Sequence, residues 1–141
     1  AEQHFLREGI RGEFIVDDAR RFVRHDTRQF AAIVVDVFSS HTAIPSHLVT
    51  QEFWTAVRPR LQDDGTLIVN LILDGQLATP YARNVLATIE NVYGRCAVDV
   101  LHKAKPLANV VVTCFAGNPP TPAGIYRDET NRADLDRARS R

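Results

Sequence analysis

The sequence predicts one α/β domain: a mostly parallel sheet covered by helices and closed by an antiparallel pair of strands. Three observations carry that expectation. Residues 31–35 and 66–73 are apolar runs, AAIVV and TLIVNLIL, which suit strands buried on both faces. Helical patterns alternate with these runs along the chain, as crossover connections in a layered sheet require. Residues 96–101 and 109–115 then follow one another through a short basic segment. That connection is too short for a parallel crossover, so the last strand is expected to run antiparallel to its neighbour.

Taken in order, residues 1–5 read as the end of a helix, and a loop marked by Gly9 and Gly12 follows. Glu13 to Val16, EFIV, is expected as a short strand. Asp18 is placed to cap a helix over 19–24 whose apolar face carries Phe22 and Val23. The first long apolar run ends at Asp36. Thr50 can cap the next helix, with Glu52 in its positively polarised first turn and Phe53, Trp54, Val57 and Leu61 at helical spacing. Pro59 helps end it. Asp63-Asp64-Gly65 is a turn signal before the second long strand. Thr79-Pro80 is a cap followed by proline at the first helical position, and Gly94 supplies the left-handed stop after Val92. Pro119, Pro120 and Pro122 close the folded part, so the domain is expected over 1–124, with 125–141 a charged tail or loose helix.

Bulk properties narrow the function classes. The 141 residues carry 17 Lys and Arg against 17 Asp and Glu, which gives no general attraction to nucleic acid or anionic membrane. The early arginines (Arg7, Arg11, Arg20, Arg21, Arg24, Arg28) are interleaved with Glu8, Glu13, Asp17, Asp18 and Asp26, the pattern of a solvated mixed-charge surface. No apolar run reaches the roughly 18 residues of a membrane span. Cys96 and Cys114 lack CxxC spacing and read as two buried reduced thiols of a cytoplasmic protein, a disulfide between neighbouring strands being the alternative. The chain has no methionine and opens on a helix end, so it is expected to be part of a longer protein.

The chemistry concentrates at Asp36. Ligands of open α/β sheets bind at the carboxyl ends of the strands. Asp36 stands there, followed by a loop of small, polar and imidazole side chains that includes Ser39, Ser40, His41 and His47. His41 and His47 have no third ligand at metal-binding spacing, so no metal site is expected. The serines lack the nucleophile-elbow pattern, which sets hydrolase chemistry aside.

VDDARRFV (16–23), FAAIVVDVFSSHTAIPSHLVTQEFW (30–54), DDGTLIVNL (63–71) and ANVVVTCF (108–115) resemble the polyamine aminopropyltransferases, the spermidine synthases and their relatives. These lie within the class I S-adenosylmethionine-dependent methyltransferase superfamily. The resemblance implies a three-layer Rossmann-like sheet, truncated here at its N-terminal side. It implies that Asp18 and Ala19 meet the adenine of the sulfonium donor and that Asp36, also at the donor, accepts a proton from the attacking amine. Ser39, Ser40 and His41 fall in the loop that closes over the substrate. The implied function is transfer of an aminopropyl group from decarboxylated S-adenosylmethionine to a small amine such as putrescine, in the cytoplasm, with a homodimer among the assemblies allowed. Two departures stand out. Ser39 occupies the place of the family's second aspartate, and the Gly-rich loop and ribose-binding acid have no counterpart in the chain. The rival readings are a small-molecule methyltransferase using S-adenosylmethionine and a non-catalytic methyltransferase-like scaffold.

Overall fold

The computed structural model describes residues 12–36, 44–101, 106–117, 128 and 133–139. Its elements in chain order are α1 (Ala19–His25), β1 (Phe30–Val35), α2 (Gln51–Val57), β2 (Leu61–Asp74), α3 (Pro80–Tyr93), β3 (Ala97–Leu101), β4 (Leu107–Phe115) and α4 (Ala133–Arg139), with short 3₁₀ turns at Ser46–Leu48 and Arg58–Arg60. The four strands form one sheet in the order β1-β2-β4-β3.

The helices start where capping chemistry allows. Side chains of Asp18, Thr50 and Thr79 accept from the backbone N–H groups of Arg21, Phe53 and Ala82, donors that the first turn of a helix leaves unpaired. Pro80 occupies the first turn of α3, where its missing N–H costs nothing. Gly94 ends α3 with φ 73°, a left-handed conformation that a side chain disfavours.

β2 pairs on both sides, parallel to β1 and antiparallel to β4. Its residues 65, 67, 69, 71 and 73 are buried, and the alternate residues from 66 to 74 are half-buried. The inward set Leu67, Val69, Leu71 and Leu73 meets Val110 and Val112 of β4, together with Phe53, Trp54 and Val57 of α2 and Val85 and Ile89 of α3. Each such side chain contributes on the order of 1.5–3 kcal/mol when taken from water. The β1–β2 register slips between Phe30↔Leu61 and Ala32↔Thr66, so residues 62–65 bulge out of the ladder. Gly65 makes the bulge possible, because a Cβ there would lie 2.9 Å from the carbonyl oxygen of Gln62. The Asp63-Asp64-Gly65 turn signal is therefore real, but it sits inside a 14-residue strand rather than before a shorter one.

Three expectations are corrected. The sheet is not mostly parallel: only β1 and β2 pair in parallel. β4 lies between β2 and β3 and runs antiparallel to both, so insertion of the returning strand replaces what would be a parallel contact with two antiparallel ones. All four described helices also stand on one side. α1 and α2 share a cleft with Ile33 and Val35 of the inward face, and α4 packs on α3. The second helical layer of a three-layer fold is not seen among the described residues. Second, EFIV is not a strand. Phe14, Ile15 and Val16 are exposed, and no described strand pairs with them. Apolar, β-branched composition without a ladder partner does not make a strand.

The third correction concerns the cysteines, which are joined as a Cys96–Cys114 disulfide rather than held as thiols. The β3–β4 register explains it. Ala97 faces Thr113, so Cys96 and Cys114 come directly opposite each other with Cα atoms 4.5 Å apart, within bridging distance.

The β2–α3 turn is tied by Asp74. Its carboxylate accepts from Ala78 N (2.9 Å), Thr79 N (3.2 Å) and the Thr79 hydroxyl (2.7 Å), enclosing Leu77 at φ 53°. Partial burial raises the Asp74 pKa, but the hydrogen bonds from Thr79 and Ala78 outweigh it and hold the group below its ordinary value. Asp18, Asp26 and Asp128 are likewise lowered, chiefly by bonds from Arg21 N, Arg28 and Arg20 respectively. A lowered folded-state pKa contributes stability that is present above the unfolded value and lost as pH falls through the folded one. The melting temperature is therefore expected to hold down to about pH 5 and to decline below about pH 4. Asp74→Asn is expected to be less stable at neutral pH and to show a shallower acid decline, as measured by thermal unfolding across a pH series.

Candidate active site

Asp36 directly follows β1. The parallel register sets Val35 beside Val69, which brings Asp36 level with Asn70 of β2. The Asn70 Nδ2 group donates to Asp36 Oδ1 at 3.0 Å. Asn70 is half-buried in the ladder and Asp36 is exposed, so a fixed amide orients a solvent-facing carboxylate.

The strand leading to Asp36 is not the central, doubly buried strand expected. β1 is the sheet's edge; Ala31, Ala32 and Val34 are exposed, Val34 at 65%, and only Val35 is buried. An apolar run reports what a strand is able to bury, not how many neighbours it has.

Asp18 and Ala19 lie at the start of α1. Asp18 Oδ1 accepts from Arg21 N at 3.1 Å, and Asp18 Oδ2 lies 3.3 Å from His47 Nε2. The backbone bond from Arg21, followed by the imidazole, keeps the Asp18 pKa below the ordinary carboxylate range. Around this pair runs a charged chain that sequence reading did not assemble. Arg20 donates to the His47 carbonyl (3.1 Å) and forms an ion pair with Asp128, whose N–H donates to Glu52 (2.9 Å) in the first turn of α2. The separations are long: 27 residues from Arg20 to His47 and 108 from Arg20 to Asp128. The sequence signal was limited to the caps and to Glu52 itself.

Ala19 forms part of the wall of a cleft of about 580 Å³ between α1, β1 and α2. Phe22, Val23, Ile33, Val35 and Phe53 give it an apolar floor, and Asp17, Arg28 and Arg60 are its charged edge. Neither Asp18 nor Asp36 lines it. The structure thus brings Asp18 to His47 and Asp36 to Asn70, with no hydrogen bond joining the two pairs among the described residues. Ser39, Ser40 and His41 lie outside the described residues. Among the described residues no cluster of three His, Cys, Asp or Glu side chains is placed to hold a metal ion, and no helix is long and apolar enough to cross a membrane.

With this geometry established, the fold can be compared: it is an α/β fold with a mixed sheet, similar to that of solved spermidine synthases. Solved structures supply the comparison. The chain is 23% identical to a probable spermidine synthase from Corynebacterium glutamicum ATCC 13032, with a TM-score of 0.60 over 72% of this chain and 37% of that one. It is 18% identical to a spermidine synthase in complex with the transition state analogue AdoDATO (TM-score 0.61, 86% of this chain and 46% of that one). It is also 18% identical to spermidine synthase from Thermotoga maritima (TM-score 0.58, 86% and 45%). The chain spans less than half the length of each of these proteins. No protein-family model matches it, and no curated protein matches it by sequence.

The double use of Asp18 yields a test. Asparagine caps helices about as well as aspartate, whereas alanine does not. Asp18→Ala is expected to lower the melting temperature and Asp18→Asn to preserve most of it, as followed by far-UV circular dichroism. Equal losses in the two variants would show that the charge facing His47, not the cap, is what the fold needs.

Proposed function

We propose that the chain belongs to a spermidine synthase-like transferase that moves an aminopropyl group from decarboxylated S-adenosylmethionine to a small amine such as putrescine, with Asp36 as the general base. The observation that carries this reading is the Asp36–Asn70 pair: an oriented, solvent-facing carboxylate where a β-strand ends, in a fold shared with spermidine synthases.

The chemistry suits that residue. An alkyl ammonium has a pKa near 10, so the acceptor nitrogen must give up a proton before it attacks. Donor and acceptor are both cations and repel each other. A carboxylate answers both needs, attracting positive charge and taking the proton. The sulfonium donor, when bound, supplies the electrophilic carbon. Toward it the chain offers Ala19 and the apolar cleft beside it, whose volume lies within the range of small-molecule sites, with Asp17 at the rim and the Asp18 carboxylate at the head of α1. A purine ring suits such walls. Ser39, Ser40 and His41, just beyond Asp36 in the chain, are assigned to the acceptor amine.

One observation favours a second reading. Where the resemblance leads to a second carboxylate the chain has Ser39, so one anion fewer is available for the far ammonium of a diamine. A methyltransferase using S-adenosylmethionine on a small molecule needs no such anion. Calorimetry of the intact protein with decarboxylated and ordinary S-adenosylmethionine separates the two: the first reading expects preference for the decarboxylated donor, and absence of binding by either would leave a non-catalytic scaffold.

In the intact enzyme, Asp36→Asn is expected to keep fold and donor affinity while lowering turnover on the order of 100-fold or more. Turnover equal to that of the unsubstituted enzyme would remove Asp36 from the mechanism. Asn70→Leu is expected to lower kcat while leaving the KM for the donor unchanged, since it takes away only the orientation of the base.

A further inference from the structure

Among the described strands β3 stands at the edge of the sheet opposite β1 and pairs with β4 alone. Its five residues alternate between exposed and half-buried, and none is fully buried. Its own packing therefore holds it only weakly, in contrast to β4, whose Ala108, Val110, Val112 and Cys114 are all buried. What adds to the β3–β4 ladder is the covalent bond at its start, Cys96–Cys114. The elements on either side have other anchors. Arg58 donates to the carbonyls of Val92 and Ala116, the latter at 2.8 Å, and its guanidinium stands over the Tyr93 ring. Glu90 accepts from Cys96 N at 3.2 Å. The end of α3 and the end of β4 are thus fastened without the disulfide, and β3 beyond Cys96 is not.

We propose that the Cys96–Cys114 bond is a redox-dependent clasp on the sheet's outer strand: oxidised, it locks β3 to β4; reduced, it lets β3 open while the rest of the sheet stays closed. The two residues differ in access, Cys96 being 9% exposed and Cys114 fully buried. A dithiol reductant accordingly attacks at the Cys96 sulfur. Its thiolate forms a mixed disulfide there, and the Cys114 sulfur leaves as a thiolate that takes up a proton. The second thiol of the reductant then closes its own disulfide and releases Cys96 as a thiol. Two electrons and two protons pass to the protein, and the reductant is oxidised to a cyclic disulfide. This inference does not depend on the transferase reading.

Hydrogen exchange followed by mass spectrometry, on protein prepared without reductant and then with and without dithiothreitol, tests it. Closing a loop of 18 residues is worth on the order of a 100-fold change in local opening, so the amides of β3 are expected to exchange roughly 100-fold faster after reduction while those of β2 stay unchanged. Cys114→Ala is expected to give the same fast exchange without reductant. Three results overturn the proposal: β3 exchange that is indifferent to reduction, exchange that accelerates equally in β2 and β3, or two thiols that alkylate fully before any reductant is added.

Discussion

The fold depends on the two-sided pairing of β2. Side chains along a strand alternate between faces, so one strand hydrogen-bonded on both edges commits its neighbours' side chains as well as its own. Leu67, Val69, Leu71 and Leu73 point inward, and the registers of both ladders turn Ile33 and Val35 on one side and Val110 and Val112 on the other the same way. A slip of one residue in either ladder would send that whole set to the opposite face. The bulge at 62–65, which needs the space left by Gly65, sets the β1 register before the apolar stretch begins. Level with one another across that ladder stand Asp36 and Asn70; at the far end of β2, Asp74 fixes the entry into α3.

Local chemistry was legible in the sequence wherever it acts over three or four residues. The Asp18, Thr50 and Thr79 caps, Pro80 at the head of α3 and the Gly94 stop all stand where sequence reading puts them, because a cap involves only a side chain and the backbone just beyond it. The antiparallel closing pair was legible for a similar reason, a connection too short for any other geometry. What could not be read was the set of neighbours. Ala31 to Val35 look the same in sequence whether their strand is central or at an edge, and EFIV looks like a strand until the absence of a partner is seen. The cysteines were misread because each was considered alone. Cys96 and Cys114 become a pair only once the β3–β4 register is laid out, and that register turns on a connection length rather than a motif.

The charged chain Asp18–His47, Arg20–Asp128 and Asp128–Glu52 belongs to the same category of long-range information. Exposed ion pairs contribute little each, typically below about 1 kcal/mol. The effect of this set is positional. It links the head of α1, the turn that follows the loop after β1, the first turn of α2 and residue 128, four places that share no stretch of sequence. One of these lies within the segment between Asp36 and Thr50 and another just after it, so the end of that segment is tethered even though the strand before it lies at the sheet's edge.

The two carboxylates singled out by sequence have different physical standing. Asp18 is committed: one oxygen holds the first turn of α1 and the other faces His47, and its lowered pKa reflects those bonds. A group whose lone pairs are engaged by the fold is a poor proton acceptor. Among the described residues Asp36 caps no helix, and its partner is a single side-chain amide on one oxygen of an exposed carboxylate. Asn70 restricts the carboxylate's rotation without neutralising it, since an amide carries no charge to cancel. A base that must draw in a cation needs both properties, an intact negative charge and a fixed direction. Among the described carboxylates on strand ends, Asp74 has neither oxygen to spare, because both accept from the turn that opens α3. The difference follows from backbone geometry: carboxylates beside helix starts are engaged by unpaired N–H groups, and Asp36, which follows a strand, is not among them.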